Sequence, residues 1–137
     1  MKSFILDACA LVAFFNDESG ADVVERLLND ANNGNCIVVM NKYNLLEVYY
    51  GYLRANGENF AESVFSIVAS SCIKIPDILT DNLFRQAGKL KVAYRLSLAD
   101  AIFLAQAIED NAIVVTSDHH ELNIVEQSGK FEFLWIR

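Results

Sequence analysis

The chain has 137 residues, of which 53% are hydrophobic and 21% charged, and its 18 acids against 11 bases give a formal charge of −7. That length and composition suit one globular domain with a substantial core, and 6 Gly with 1 Pro favour helices over an all-β fold with many turns. No apolar run approaches the ~18 residues needed to span a bilayer.

In chain order, residues 3–6 read as a short buried strand and 8–15 as an apolar helical stretch. Residues 19–31 have helical period, with Val23, Val24, Leu27 and Leu28 on one stripe, and end at Asn32-Asn33-Gly34. A second strand is expected over 36–40, then helices over 42–54, closed by Gly57, and 60–70. Residues 72–75, stopped by Pro76, predict a brief third strand. Helices over 80–94 and 98–109 follow, the latter capped by Ser97, and strands over 112–116 and 131–136 complete the chain. Short β-rich runs separated by helices indicate an α/β domain around a mostly parallel sheet of about five strands.

The opening Met1-Lys2-Ser3-Phe4-Ile5-Leu6 has the look of a signal peptide, but Asp7 interrupts it and no small-residue cleavage site follows. An unprocessed cytoplasmic protein is the expectation. Cys9, Cys36 and Cys72 are odd in number and contain no Cys-x-x-Cys pair, which argues for free thiols over a disulfide framework or structural zinc.

Ligands of parallel sheets gather beyond the carboxyl ends of the strands. Asp7 and Asp118 both follow predicted strands, and each also suits a helix N-cap, with Glu121 completing a capping-box-like pattern after Asp118. Asp100 falls in a first helical turn, where the helix dipole favours an acid. It shares a stripe with Phe103, Leu104 and Ala107, however, and should face inward. Glu47 lies in Tyr43-Asn44-Leu45-Leu46-Glu47-Val48-Tyr49-Tyr50, apolar nearly all round, with no basic residue three or four positions away. A buried carboxylate of that kind is costly unless something cationic comes to it. Four carboxylates brought together would repel by about 4 kcal/mol per close pair at an effective dielectric of ~20, and would take up protons or bind a hard cation. All-oxygen ligation suits Mg²⁺ or Mn²⁺ rather than zinc.

The net charge disfavours phosphate binding, but its distribution is uneven. Arg85, Lys89, Lys91 and Arg95 lie in a window free of acids between Asp81 and Asp100. They form either a solvated helix face or a surface contacting phosphates.

Four motifs in order resemble one family. They are Phe4-Ile5-Leu6-Asp7 followed by Ala8-Cys9-Ala10-Leu11, then Asn44-Leu45-Leu46-Glu47-Val48, Leu96-Ser97-Leu98-Ala99-Asp100-Ala101, and Val114-Val115-Thr116-Ser117-Asp118. The chain resembles PIN-domain ribonucleases, particularly the small VapC-type toxins of toxin–antitoxin pairs. The resemblance implies a single domain over 1–137, folded as a three-layer α/β/α sandwich. It further implies acids Asp7, Glu47, Asp100 and Asp118 around one or two Mg²⁺ or Mn²⁺ ions, helped by hydrogen bonding from Thr116. An RNA substrate, a small antitoxin partner and a homodimer are implied as well.

One departure concerns the last motif, which often has a second acid two residues on. His120 stands there and Glu121 comes one later; either Glu121 supplies the extra ligand or the second metal position is weak. A metal role for His119 and His120 sits poorly with a hard cation. Among other readings, an aspartyl-phosphate phosphatase would need an acid where Cys9 stands. A receiver-like module would want a Lys after a late strand, and Lys130 precedes the last one. An RNA-processing or DNA-cutting nuclease outside a toxin–antitoxin system, or a non-catalytic PIN-like binding module, completes the alternatives.

Overall fold

A computed structural model describes all residues, 1–137. It contains β1 (Ser3–Leu6), α1 (Ala8–Phe15), α2 (Ala21–Asn32), β2 (Ile37–Met40), α3 (Lys42–Asn56), α4 (Glu58–Ala69), α5 (Asp81–Tyr94), α6 (Leu98–Asp110), β3 (Ile113–Thr116), α7 (His119–Gln127) and β4 (Phe133–Trp135). The strands form one wholly parallel sheet in the order β2-β1-β3-β4. Because successive side chains of a strand point to opposite faces, β-sheet residues divide between two cores. Leu6, Val38, Met40 and Val115 pack with α1–α4, while Ile5, Val39 and Val114 pack with α5–α7. The result is the expected α/β/α sandwich.

The helices begin where the sequence supplies side-chain acceptors. Asp7, Asn41, Thr80, Ser97 and Asp118 each accept a backbone N–H from the first turn of the helix they precede. At the start of α2, Gly20 has φ +97°, and a Cβ there would stand 2.7 Å from the carbonyl oxygen of Ile136. Only glycine admits that approach of the C-terminal strand.

Two expectations change. The third strand over 72–75 reduces to a single bridge in which Lys74 pairs with Val39. Its N–H donates to the carbonyl of Val38 and its carbonyl accepts from Met40 N–H, both at 2.9 Å. Pro76, which cannot donate to a ladder, follows so closely that no longer pairing develops. The sheet therefore has four strands. Helix α7 was foreshadowed only by the capping pattern at Asp118 and Glu121; its short run buries just Leu122 and Val125.

Candidate active site

The strand order reverses between β1 and β3: the chain adds β2 on one side of β1 and β3 on the other. That switch point is where a parallel sheet leaves a crevice at its carboxyl edge. Asp7 and Thr116 sit on either side of it. Asp7 N–H continues the ladder to the carbonyl of Val115 at 3.3 Å, which fixes the Asp7 backbone against β3.

Asp7 is buried, and both its oxygens are used. Oδ1 accepts Ala10 N–H at 2.8 Å and Oδ2 accepts the Thr116 hydroxyl. The same hydroxyl oxygen accepts Asp118 N–H at 3.0 Å, so Thr116 ties the two acids into one chain of hydrogen bonds. Asp118 in turn caps α7 through Oδ1, which accepts Glu121 N–H at 3.1 Å. Asp100, half-buried, enters from the first turn of α6, and Ser97 caps that turn at 3.2 Å.

Glu47 is half-buried on α3. The expectation that its helix is apolar because it is enclosed needs correction: Tyr43, Leu46, Tyr50 and Leu53 are exposed. The buried stripe of α3 instead consists of Asn44, Leu45, Val48 and Tyr52. Asn44, not singled out from the sequence, is wholly buried and donates through Nδ2 to Glu47 Oε1 at 3.2 Å. Its Oδ1 is buried with no partner. The available signal was an amide on an otherwise apolar stripe, one helical turn before Glu47; a polar group so placed is costly unless it has work to do.

The acids feel one another. Burial pushes Asp7 up to about 7, against the hydrogen bonds from Thr116 and Ala10, with the charges of Asp100 and Asp118 adding to the rise. Asp100 is pushed up to about 6, first by burial and then, against the Ser97 hydrogen bond, by Glu121, Asp118 and Glu47. Glu47 is raised by burial, lowered by Asn44, and raised again by Asp118 and Glu121. Cys9, exposed at the start of α1, has its thiol pushed up to about 12 by local desolvation and by all four acids. Glu121 thus belongs to the same electrostatic neighbourhood as Asp7, Glu47, Asp100 and Asp118.

No cation answers them. The chain's ion pairs are Arg26–Asp22, Lys42–Asp77 and Arg137–Glu18, all elsewhere. No three His, Cys, Asp or Glu side chains converge on one point at ligating distance. The donor set itself, all oxygen and deficient in positive charge beside the orphaned Asn44 Oδ1, fits a hard divalent cation.

The remaining predicted residues lie apart from this cluster. His119 has both ring nitrogens engaged, with Asn123 Oδ1 at 3.0 Å and the carbonyl of Arg137 at 2.8 Å, and its ring stacks on Trp135 at 3.9 Å. It fastens the C-terminus to α7. His120 is exposed. Arg85, Lys89, Lys91 and Arg95 all belong to α5 and its C-cap and are exposed, but Lys91 donates to the carbonyl of Leu96 at 2.8 Å. The geometry uses that ammonium to close the turn into α6.

The PIN domain profile matches residues 4–125. The chain belongs to the PIN domain family. Among solved structures, its fold is similar to a toxin–antitoxin complex from Klebsiella pneumoniae, with TM-score 0.70, 16% identity and 98% of each chain covered. It is also similar to VapBC2 from Rickettsia felis bound to a DNA fragment from the promoter (TM-score 0.73, 16% identity, 97% of this chain and 98% of that one). A third is VapC20 of Mycobacterium tuberculosis, a sarcin–ricin loop cleaving toxin (TM-score 0.65, 19% identity, 81% of this PIN-domain chain and 86% of that one). No curated protein matches the chain in sequence. No helix is long and apolar enough to cross a membrane.

Proposed function

We propose that this PIN-domain protein is a metal-dependent endoribonuclease, acting as the toxin of a toxin–antitoxin pair. The observation that carries the reading is the group of acids Asp7, Glu47, Asp100 and Asp118 at the sheet's switch point, with Asp7 and Asp100 displaced far above ordinary carboxylates and no basic side chain paired with any of them. The fold it shares with toxins of known toxin–antitoxin complexes supports the toxin role and a small antitoxin as partner.

Asp7 and Asp100 would be the principal ligands of Mg²⁺ or Mn²⁺, with Glu47 and Asp118 completing the shell directly or through water and Glu121 as an additional oxygen donor. The chemistry a divalent ion would supply there is a lowered pKa for a nucleophilic water and an offset to charge on the phosphoryl and leaving oxygens of an RNA phosphodiester. Thr116 holds Asp7 in one orientation and sets Asp118 beside it. Asn44 does the same for Glu47: its Nδ2–H fixes one carboxylate oxygen and leaves the other free. Either Glu47 or Asp118 can orient the attacking water. The raised Asp7 and Asp100 favour protons when no cation is present, so binding releases protons and weakens as pH falls. Of the four basic residues on and after α5, Arg85, Lys89 and Arg95 have charged ends not engaged within the chain and suit phosphate contacts, whereas Lys91 is drawn to the carbonyl of Leu96.

The test is cleavage of a mixed RNA pool with Mn²⁺, with Mg²⁺ and with a chelator. Cleavage that depends on the added ion supports the proposal. Cleavage indifferent to the chelator overturns the metal mechanism, and inertness in every condition favours a non-catalytic binding module.

A further inference from the structure

A column of rings runs along the edge strand β4. Phe133 and Trp135 lie two residues apart, so both point to the same face of the sheet, the one packed with α5–α7. Their rings are stacked, with centroids 5.0 Å apart and planes inclined by 11°. Phe131 meets Phe133 edge-on at 6.5 Å and closes the lower end. At the upper end the ring of His119 lies on Trp135 at 3.9 Å and 13°. Because β4 runs parallel to β3 with Trp135 registered against Thr116, the column climbs toward the carboxyl edge where the acids gather. Its last ring belongs to the residue that directly follows Asp118.

The upper end of the column is open. Trp135 covers one face of His119, and both ring nitrogens are engaged, by Asn123 Oδ1 and by the carbonyl of Arg137. The residue is nevertheless exposed, so the opposite face of the ring is the part left to solvent. Trp135 is fixed in turn, since its Nε1 donates to Glu126 Oε2 at 2.7 Å. The imidazole is therefore held in one plane before anything binds, and the ordering cost of a mobile side chain is avoided. A flat, immobilised ring with one free face is a stacking platform for any base, because every base has a π-face. Its position selects this occupant. No ammonium or guanidinium pairs with the neighbouring acids. A nucleic-acid chain reaching that edge consequently needs a contact that does not depend on charge, and stacking supplies one.

We propose that the free face of His119, backed by Trp135 and Phe133, holds an unpaired base of the RNA substrate beside the acid site; the identity of the substrate rests on the ribonuclease reading above. A base inside a duplex is already stacked on both faces, so the platform favours single-stranded segments and loops.

The test is binding of a fluorescein-labelled, random-sequence RNA hexamer pool, followed by anisotropy with Ca²⁺ in place of Mg²⁺, to three proteins of matched circular dichroism. His119→Gln keeps a donor for the C-terminal carbonyl but removes the plane, and is expected to bind about tenfold more weakly than the wild type, the loss of one stacked base. His119→Phe keeps the plane and drops both hydrogen bonds, and is expected to bind as the wild type does. A hexamer of abasic spacers with the same phosphates should not distinguish the three. Hexamers carrying 5-iodouridine should photocrosslink to His119. In cleavage with Mn²⁺, His119→Gln should raise KM about tenfold with kcat unchanged. The reverse order, with Gln tight and Phe weak, would reduce His119 to a latch for the C-terminus and overturn the proposal. So would absence of hexamer binding, crosslinks only elsewhere, or equal affinity for duplex RNA. Trp135 is the single tryptophan, and emission that changes on dilution but not with RNA would show a second copy over the ring, which also overturns it. Binding as expected without any cleavage would leave the stacking site standing and remove the nuclease; cleavage with KM indifferent to His119→Gln would do the opposite.

Discussion

Acids occur in two settings in this molecule. Away from the sheet's carboxyl edge they are solvated or matched, as in the pairs Glu18–Arg137, Asp22–Arg26 and Asp77–Lys42, with Lys42 and Asp77 only 2.6 Å apart and largely exposed. At the edge, Asp7 is 3% exposed, and neither it nor Glu47, Asp100 or Asp118 has a cationic partner. Exposed pairs contribute little to stability, whereas uncompensated buried carboxylates weaken the metal-free fold. The difference separates solvated or paired acids from the acids to which we assign a ligand.

The contrast is broken most completely by Asp100→Asn. That substitution keeps the side-chain shape and the Ser97 cap to the backbone, so the fold survives, while RNA cleavage is expected to fall below detection in a gel assay with Mn²⁺. Retained activity would remove Asp100 from the machinery. Next comes Asn44→Leu, which deletes the hydrogen bond to Glu47 and also the orphaned Oδ1. Mn²⁺ affinity should drop about 10–100-fold, measured by calorimetry, while Tm rises because a buried unsatisfied atom is gone. A merely structural amide would leave affinity unmoved.

A pH titration sharpens the same comparison. Asp7 and Asp100 rise from 3.8 to about 7 and about 6, so the folded protein holds protons that the unfolded chain has already released. Their destabilising contribution is therefore full above about pH 7 and fades as pH falls toward the unfolded value of 3.8. Tm of the metal-free protein should increase on acidification through that window. Saturating Mn²⁺ at neutral pH should raise Tm as well, by a stabilisation of about 2.7 kcal/mol at a hundredfold excess over Kd, and the gain should shrink at lower pH. A metal-free Tm that falls steadily from pH 7 to pH 5 would contradict the burial of these groups. The smallest effect belongs to the other setting: Lys42→Ala breaks the exposed pair with Asp77 and should cost under about 1 kcal/mol in denaturant unfolding, with cleavage unaltered.

Much of this was legible from local chemistry. Caps at Asp7, Ser97 and Asp118 follow from residue type, and the apolar strands are recognisable because both faces of the sheet are covered. The inward stripe of Asp100 with Phe103, Leu104 and Ala107 was also readable, because helical period alone sets it. What escaped depended on which side chains the packed fold covers and pairs, which local pattern does not set. The strand at 72–75 was read from its β-branched residues, but pairing is decided by geometry at the sheet edge, where only Lys74 docks. Glu47 was given an enclosed helix because Tyr and Leu were counted as buried; their exposure on α3 reflects how little of the molecule covers that side. Asn44 looked like one polar residue among apolar neighbours, and its meaning emerges only with its Nδ2 on Glu47 and its Oδ1 alone. The basic run on α5 was legible as a run, but not that Lys91 turns inward to Leu96.

The central claim, that these acids await a divalent ion, is tested most directly by calorimetric titration of Mn²⁺ into the wild type and into Asp100→Asn at neutral pH. The account predicts saturable binding with proton release in the wild type and its loss in the variant. Absence of binding to the wild type, or equal binding to both, would contradict it.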